Sequence, residues 1–375
     1  MPRLRMGMIG GGPGSFIGPV HRIAAELDGQ IQLVAGAFSS SAERSAEGGR
    51  GYGIDPARAY PSFERMFAAE RQRSDPIEFV TIVTPNHLHA PAAKAALAAG
   101  VHVMSDKPAT ATLAEALDLK RALSTSDRHY GLTYTYTGYP LVRHAREMVA
   151  RGDIGEVRKV VVEYLQGWLA QPVEAKGSKQ AGWRVDPAQA GVGGCIGDIG
   201  IHAFNLAEFV TGRKVKRLLA DLAAMVPGRK LDDDCTVLLR FDNGARGVLV
   251  ASQISIGELN GLRIRAYGDK GGLDWRQEQP NSLIWHREDG TTEVVRAGTL
   301  AVGIAGAGAT RLPGGHPEGY LEAFANLYRD FAGLLHGEAV STLVPSIDEG
   351  VRSMAFIETA VAASALAKGW VALSI

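Results

Sequence analysis

The feature that most limits how this chain can fold is a pattern repeated through its first third. A near-continuous apolar run ends in a glycine or proline turn, a helical stretch follows, and then another apolar run begins. "LRMGMIGGGPG" leads into the helix-like "PVHRIAAELDG" and then into "IQLVAGAF". "IEFVTIVTPNHLHAPAAKAALAAGVHVMSDKP" repeats the pattern as strand, Thr-Pro-Asn turn, alanine-rich helix and strand. Strands that are apolar throughout are buried on both faces, and strands alternating with helices run parallel. The pattern therefore predicts an α/β fold that begins with a doubly wound parallel sheet. Such sheets bind ligands outside the carboxyl ends of their strands, where a glycine turn can bring a pyrophosphate to a helix amino terminus.

The candidate contacts for a dinucleotide follow from that placement. Gly10, Gly12, Pro13 and Gly14 form the first turn, where a side chain would hold the backbone N–H groups away from phosphate. The next glycine to open the helix is Gly18, which leaves five residues where the usual fingerprint has two. Thr84, Pro85 and Asn86 close the third apolar run, and "SDKP" closes the fourth. Pro108 ends that strand by fixing its own φ and restricting Lys107. Asp106 and Lys107 are costly to desolvate unless paired or used, and Lys107 is expected to point into the crevice of the glycine turn. His87 and His89 fall at a predicted helix start as surface or capping residues, with His89 also a candidate cofactor contact. In "GAFSSSAER", Ser39 and Ser40 precede Arg44, and no carboxylate occurs before Glu43. An acidic side chain there would bind the ribose of NAD, whereas hydroxyls beside an arginine suit the phosphate of NADP. The expected cofactor is thus NAD or NADP, with NADP favoured.

After residue 155 the pattern changes. "VRKVVVEYLQGWL", "VKRLLADLAAMV", "DCTVLLRF", "ARGVLVASQISI", "LRIRAYG", "GGLDWRQ" and "NSLIWHR" alternate or run apolar, and several are separated by turns such as "DNGA" and "GDKGG". They predict a large open sheet, mostly antiparallel, covered on one face by helices over 317–337 and 346–369. The uncovered face calls for a second subunit, so a homo-oligomer, dimer or tetramer, is expected. Within this half, "GDIGIHAFNLAEFVTG" has apolar residues at helical spacing and a stop at Gly212. Asp198 and His202 are four apart and share a face, either as a surface ion pair or as a couple for proton transfer. The preceding "AGVGGC" reads as a flexible loop. Tyr136 and Tyr139 in "TYTYTGYP" line a substrate end or pack between domains; His316 and Tyr320 in "GGHPEGY" belong to a lid or an inert loop.

Taken together and in this order, the glycine turn, "TPNHLHA", "DKP", "TYTYTGYP", "GGCIGDIGIH" and the closing "WVALSI" resemble the glucose–fructose oxidoreductase, inositol dehydrogenase and rhizopine catabolism (Gfo/Idh/MocA) family. The resemblance implies a Rossmann domain over 1–135. It also implies a substrate-binding and oligomerisation domain over 136–375, whose last residues can return to the first. It makes Lys107, Asp198 and His202 the catalytic trio and sets residue 106 against the nicotinamide ribose. The family's Glu-Lys-Pro is here Asp106-Lys107-Pro108, one methylene shorter, and Asn205 stands three after His202, where many members carry a substrate-binding aspartate. An amide still hydrogen-bonds hydroxyls. Trp168, Trp183 and Arg184 match segments that contact anhydrosugars, inositols or glycosides in relatives, and packing is the other reading of both tryptophans. The implied activity is hydride transfer between a nicotinamide cofactor and a secondary hydroxyl or ketone of a sugar, anhydrosugar, glycoside or inositol. The alternatives are an NAD-dependent glycosidase working through transient oxidation and a non-catalytic dinucleotide or sugar sensor.

Bulk properties narrow the rest. The 375 residues suffice for two or three cores, and 40 basic against 40 acidic residues leave no net charge to attract nucleic acid or an acidic membrane. Cys195 and Cys235 have neither a metal spacing nor a disulfide pattern, so no metal is expected. The amino-terminal apolar stretch is too short for a signal peptide, and a cytoplasmic setting is expected.

Overall fold

Five short runs with almost no exposed residue form the first sheet. They are β1 (Leu4–Gly10), β2 (Ile31–Ala37), β3 (Phe79–Val83), β4 (His102–Asp106) and β5 (Tyr130–Thr133). All pair in parallel in the order β2-β1-β3-β4-β5. The chain leaves β1 to one side for β2 and returns on the other side as β3, so the order reverses between β1 and β3, where a crevice opens at the carboxyl ends. This computed structural model describes residues 2–338, 343–367 and 369–375; Lys368, at the end of the helical stretch expected over 346–369, lies outside them. The chain divides into two compact units, Met1–Thr135 with Phe324–Val351 and Tyr136–Ala323 with Arg352–Ile375.

In the first unit the helix Ile17–Glu26 follows the glycine turn directly. Gly18, its second residue, lies so close to the turn that a Cβ would come within 2.5 Å of Gly11 Cα. Close helix–strand packing is the part the third fingerprint glycine plays, so the longer spacing is absorbed before the helix begins. Helix Leu113–Ser124 starts with a reciprocal capping box between Thr112 and Glu115. Helix Ala42–Tyr52 starts on the Ser41 side chain and ends at Gly53 in the left-handed region.

The second unit carries nine strands: β6 (Val157–Leu165), β7 (Val215–Ala223), β8 (Asp234–Phe241), β9 (Arg246–Ser252), β10 (Gly261–Gly268), β11 (Gly271–Arg276), β12 (Ser282–Arg287), β13 (Thr292–Arg296) and β14 (Val371–Ala372). Their order is β13-β12-β11-β10-β6-β9-β8-β7-β14, antiparallel throughout except for β6 beside β9. The seven expected strands are present, and β13 and β14 extend the sheet at its two edges. Cys235, Val237, Leu239 and Phe241 of β8 are buried, while Thr236 and Leu238 between them are exposed, so one face of the sheet packs and the other does not. The helix Ile201–Thr211 lies against β6, β9 and β10, and its Phe204 stacks on Phe356 at 4.1 Å. Glu208 of the same helix is buried in an ion pair with Arg352 at 2.7 Å and also accepts the Val215 N–H. No helix among the described residues is long and apolar enough to cross a membrane.

One ionisable group in the first unit gives this fold a pH dependence. His102 of β4 accepts the His129 N–H at Nδ1 (2.8 Å) and has Arg128 Nη1 3.3 Å from its Nε2. Burial first, and then the charges of Arg128 and His129, push its pKa down to about 4. The unfolded chain takes up this proton near pH 6.5, roughly the free imidazole value. Between those two values the unfolded state therefore binds more protons, and stability falls as pH falls. Urea midpoints should decline as the pH is lowered from about 7 to about 4, and His102→Asn should make the decline shallower by up to about one proton.

Candidate functional site

The glycine turn of the first unit is built to admit a bulky polar ligand. Gly10 adopts φ 86°, and a Cβ there would meet Val83 O at 2.6 Å. A Cβ on Gly12 would meet Phe38 O at 2.4 Å. Both positions accept only glycine, which leaves backbone N–H groups open at the β1 end. Tyr52 Oη donates to Gly11 O at 2.6 Å and fixes the turn from helix Ala42–Tyr52, and burial pushes this phenol up to about 12. Ser15 Oγ accepts the Gly18 N–H at 3.2 Å. Gly14 is exposed at φ 80°, and Pro13 O accepts from Arg44 Nη2 at 3.3 Å. The serine hydroxyls at the β2 end also have local work: Ser39 Oγ accepts the Ser41 N–H, and Ser41 Oγ accepts the Arg44 N–H. Ser40 is exposed. These residues fit a dinucleotide: a close-approach turn, a helix start behind it, and a basic side chain at the ribose end.

At the neighbouring strand ends, Thr84 and Pro85 are half-buried and Asn86 is buried. His89 is not at the surface. It is 1% exposed, with Nδ1 2.6 Å from Pro108 O and Nε2 2.8 Å from Thr84 O. The periodicity of a short alanine-rich helix does not show which flank meets a loop, and the ring meets two. Both nitrogens face protein carbonyls, so His89 joins the β3 and β4 exits rather than offering a nitrogen to a ligand. Burial holds its pKa below the usual value despite those two carbonyls. Lys107 is half-buried, and its bond to Pro108 is cis. Asp106 Oδ1 accepts from Thr133 Oγ1 at 2.8 Å and lies 3.7 Å from His21 Nε2. Burial works to raise this carboxyl, but His21, Lys107 and Thr133 together hold it well below the usual carboxylate range.

In the second unit the parallel β6–β9 pair sets the site. Parallel neighbours leave the sheet at the same end, so Gln166 after β6 and Gln253 after β9 emerge side by side, with Leu165 opposite Ser252 and the Gln166 N–H on Ser252 O. Gln253 Nε2 donates to Asp198 Oδ2 at 2.9 Å, and Arg184 Nε donates to the same oxygen at 3.1 Å. Asp198 lies in a π turn, Ile196–Gly200, that runs straight into the helix Ile201–Thr211 bearing His202 and Asn205. A π turn inside a helix is uncommon and often marks a functional position. The loop before it is not an open one. Asp232 accepts the Gly194 and Ile196 N–H groups, each at 2.7 Å, and a Cβ on Gly194 would sit 2.2 Å from Asp232 O. Those glycines serve close packing. Burial pushes Asp232 up to about 6. Cys195 and Cys235 are buried beside it, a meeting that their sequence spacing does not show.

His202 is buried against aromatic rings. Tyr136 meets it edge-on at 4.8 Å and Tyr164 lies at 6.1 Å. The two phenols are hydrogen-bonded to each other, Tyr164 Oη donates to Asn260 Oδ1 at 2.6 Å, and Gln166 Nε2 donates to the same oxygen at 3.0 Å. Burial raises the pKa of both phenols, so they remain donors at neutral pH. Trp168 and Trp183 do not pack in the core. Trp168 is 38% exposed and Trp183 half-buried, with the Arg184 guanidinium 5.9 Å from one ring and 4.3 Å from the other. Tyr139 is buried against Trp275 and accepts from Gln277. His316 is exposed on its loop. Gln166, Gln253, Asn260 and Tyr164 were not among the expected contacts; the polar residues that follow directly on β6 and β9 are the sequence signal for the first two.

Residues 4–134 match the model of the oxidoreductase family with an NAD-binding Rossmann fold, and residues 142–274 match the GFO/IDH/MocA C-terminal domain. An uncharacterised oxidoreductase of Bacillus subtilis (strain 168), YfiI, is 36% identical over 98% of this chain and 96% of its own. A levoglucosan dehydrogenase of Pseudarthrobacter phenanthrenivorans is 28% identical over 76% of each chain. The crystal structure of an inositol dehydrogenase homolog from Azotobacter vinelandii, complexed with NADH and myo-inositol, gives a TM-score of 0.91 at 34% identity. It covers 99% of this chain and 98% of that one.

Asn260 is the acceptor shared by Tyr164 and Gln166. Asn260→Leu leaves both donors facing an apolar group, so it should destabilise the protein by about 1–3 kcal/mol in urea unfolding, whereas Asn260→Asp should cost less.

Proposed function

Since the chain belongs to the Gfo/Idh/MocA family of oxidoreductases with an NAD-binding Rossmann fold, we propose that it is a sugar or cyclitol dehydrogenase. It moves hydride between the nicotinamide cofactor and a secondary hydroxyl or ketone of a sugar, anhydrosugar, glycoside or inositol. The observation that carries this reading is the set around His202: an imidazole between two tyrosines, following a π turn whose aspartate is fixed by Arg184 and Gln253. The names of the levoglucosan and inositol dehydrogenases among its relatives support the substrate class.

The nicotinamide, when bound, supplies the hydride acceptor. Gly10, Gly12, Pro13 and Gly14 would hold its pyrophosphate, and Asp106 its near ribose. In the oxidising direction His202 takes the proton of the substrate hydroxyl, the general-base role that an imidazole beside the reacting group can fill. Asp198 stabilises the imidazolium, and its own geometry is set by two donors on one oxygen. Lys107 donates to the substrate oxygen and offsets the charge that develops there. Trp168 and Trp183 offer ring faces to a sugar, with Tyr136, Arg184 and Asn205 as its polar contacts. NADP is preferred in this reading, because Ser40 and Arg44 are exposed at the β2 end and no carboxylate lies between that end and Glu43. The same reading takes the protein as a cytoplasmic homo-oligomer, with exposed Ile256, Leu259, Leu300 and Ile304 of the second unit as apolar surface for a second copy.

Lys107→Ala and His202→Ala should each lower kcat by about a hundredfold to ten-thousandfold, followed through the absorbance of reduced nicotinamide with inositols, anhydrosugars and pyranosides as substrates. Turnover within a few-fold of the parent in both variants would overturn the mechanism. A higher kcat/KM with NAD than with NADP would overturn the cofactor preference alone.

A further inference from the structure

Helix Ile17–Glu26, which follows the glycine turn, carries a polar side chain that the proposed reaction leaves unexplained. His21 is 0% exposed. Its Nδ1 lies 2.6 Å from Tyr328 Oη, and that hydroxyl lies 3.0 Å from Thr81 Oγ1. Its Nε2 faces Asp106 Oδ1 at 3.7 Å, an ion-pair distance rather than a hydrogen bond. The ring is packed edge-on by Phe324 at 4.8 Å and Tyr328 at 5.9 Å, so its plane is set. A buried histidine this close to a carboxylate cannot turn a bare lone pair toward it without repulsion. In a neutral ring the arrangement that avoids this has Tyr328 donating to Nδ1 and the Nε2 proton facing Asp106, with the Thr81 hydroxyl in reach of both Tyr328 Oη (3.0 Å) and Met6 Sδ (3.2 Å). That order fixes the tautomer through the tyrosine, as a hydrogen bond on one imidazole nitrogen determines what the other does.

The opposite side of Asp106 is held as well. Thr133 stands across from it in the β4–β5 register and donates to the same oxygen. Asp106 keeps 18% of its side chain exposed, at the strand end next to the crevice. The shorter aspartate is thus approached at one oxygen from β5 and from the glycine-turn helix, and neither of these contacts uses its other oxygen. We infer that His21 is a positioning residue for cofactor binding: by facing Asp106, with Tyr328 fixing its tautomer, it aims the free carboxylate oxygen at the nicotinamide-side ribose. Pyrophosphate seating at the helix start and ribose recognition at the end of β4 are then coupled through one side chain. The inference rests on reading this crevice as the nicotinamide site.

The test is equilibrium binding of NADH and NADPH by the full chain, read from reduced-nicotinamide fluorescence. The proteins compared are the parent, His21→Leu, His21→Gln, Tyr328→Phe, Asp106→Asn and the double variant His21→Leu/Asp106→Asn. His21→Leu should weaken binding of the preferred cofactor by about tenfold, as expected for a lost contact to a charged group. His21→Gln, whose amide reaches the Nε2 position, should recover affinity to within about threefold of the parent, and Tyr328→Phe should fall between them. In the Asp106→Asn background His21→Leu should add less than about twofold, because a residue acting through another is non-additive with it. A packing role predicts additive losses and no rescue by glutamine, and either result overturns the inference. If His21→Leu fails to fold, Tyr328→Phe combined with Asp106→Asn completes the same cycle: non-additive losses support the inference and additive ones overturn it. A parent that binds neither reduced cofactor overturns the proposed function along with the inference. A parent that binds while His21→Leu binds equally well overturns the inference alone.

Discussion

The first unit depends on how closely a helix can approach a turn. A methyl group on Gly18 would come within 2.5 Å of Gly11 Cα, one on Gly11 would meet Met8 Sδ at 2.7 Å, and Tyr52 holds the Gly11 carbonyl from a second helix. Without that approach the helix start would stand away from the β1 end, and its free N–H groups would face solvent rather than a crevice. The strand order adds to this. The strand order reverses between β1 and β3, and there Gly10 lies so close to β3 that a Cβ on it would meet Val83 O at 2.6 Å and Thr84 Cγ2 at 3.0 Å. A backbone constraint of a few ångströms thereby decides where the polar chemistry of the unit collects.

The second unit solves a different problem. Its sheet must expose polar groups at one end while keeping one face dry. The buried alternation along β8 and β10 secures the face, and the single parallel pair secures the end. Asp232 then does for the π turn what a cap does for a helix. Its two oxygens take up N–H groups on either side of Cys195, which locks the backbone that presents Asp198. The carboxylate of Asp198 is fixed by Arg184 and Gln253, residues remote from each other in the chain. Preorganisation of this kind costs stability during folding and spares reorganisation during the reaction.

Much of this was legible in the chain. Apolar runs with glycine ends announced the parallel strands, and alternation announced β6 through β12, because burial on two faces or on one writes a different period into the sequence. The last two helices and the "SDKP" strand end were legible as elements for the same reason, but most of helix Tyr320–Leu335, expected to cover the second sheet, belongs to the first unit, where its Phe331 packs on Phe79 at 5.6 Å. Helix Ala42–Tyr52 was not, since Gly48 and Gly49 dilute its pattern; they are there to let Phe38 and Ala59 approach. Strands β13 and β14 lie at the sheet edges, where fewer neighbours demand apolar residues. His21 reads in sequence as an ordinary polar residue in a helix. Only tertiary structure brings it to Tyr328, 307 positions later, and to Asp106. Asn260 and Gln253 were hidden in the same way, as turn residues whose partners come from other segments. Local pattern records burial, whereas pairing between distant polar groups leaves no period behind.

The parallel pairing of β6 with β9 has a kinetic side. Between those strands the chain runs through residues 166–245, the stretch that contains Trp168, Trp183, Arg184, Asp198, His202 and Asn205 and that also builds β7 and β8. A parallel neighbour cannot be reached by a tight turn, so this whole excursion must be ordered before the central ladder closes. Closing so long a loop carries its entropy cost ahead of the contacts that offset it, which raises the contact order and slows assembly. The segment that carries these candidate residues is therefore also the long excursion that the central ladder must close. Insertions within its surface turns lengthen the loop at little thermodynamic cost, and give this architecture room to vary substrate contacts while the strand register stays fixed.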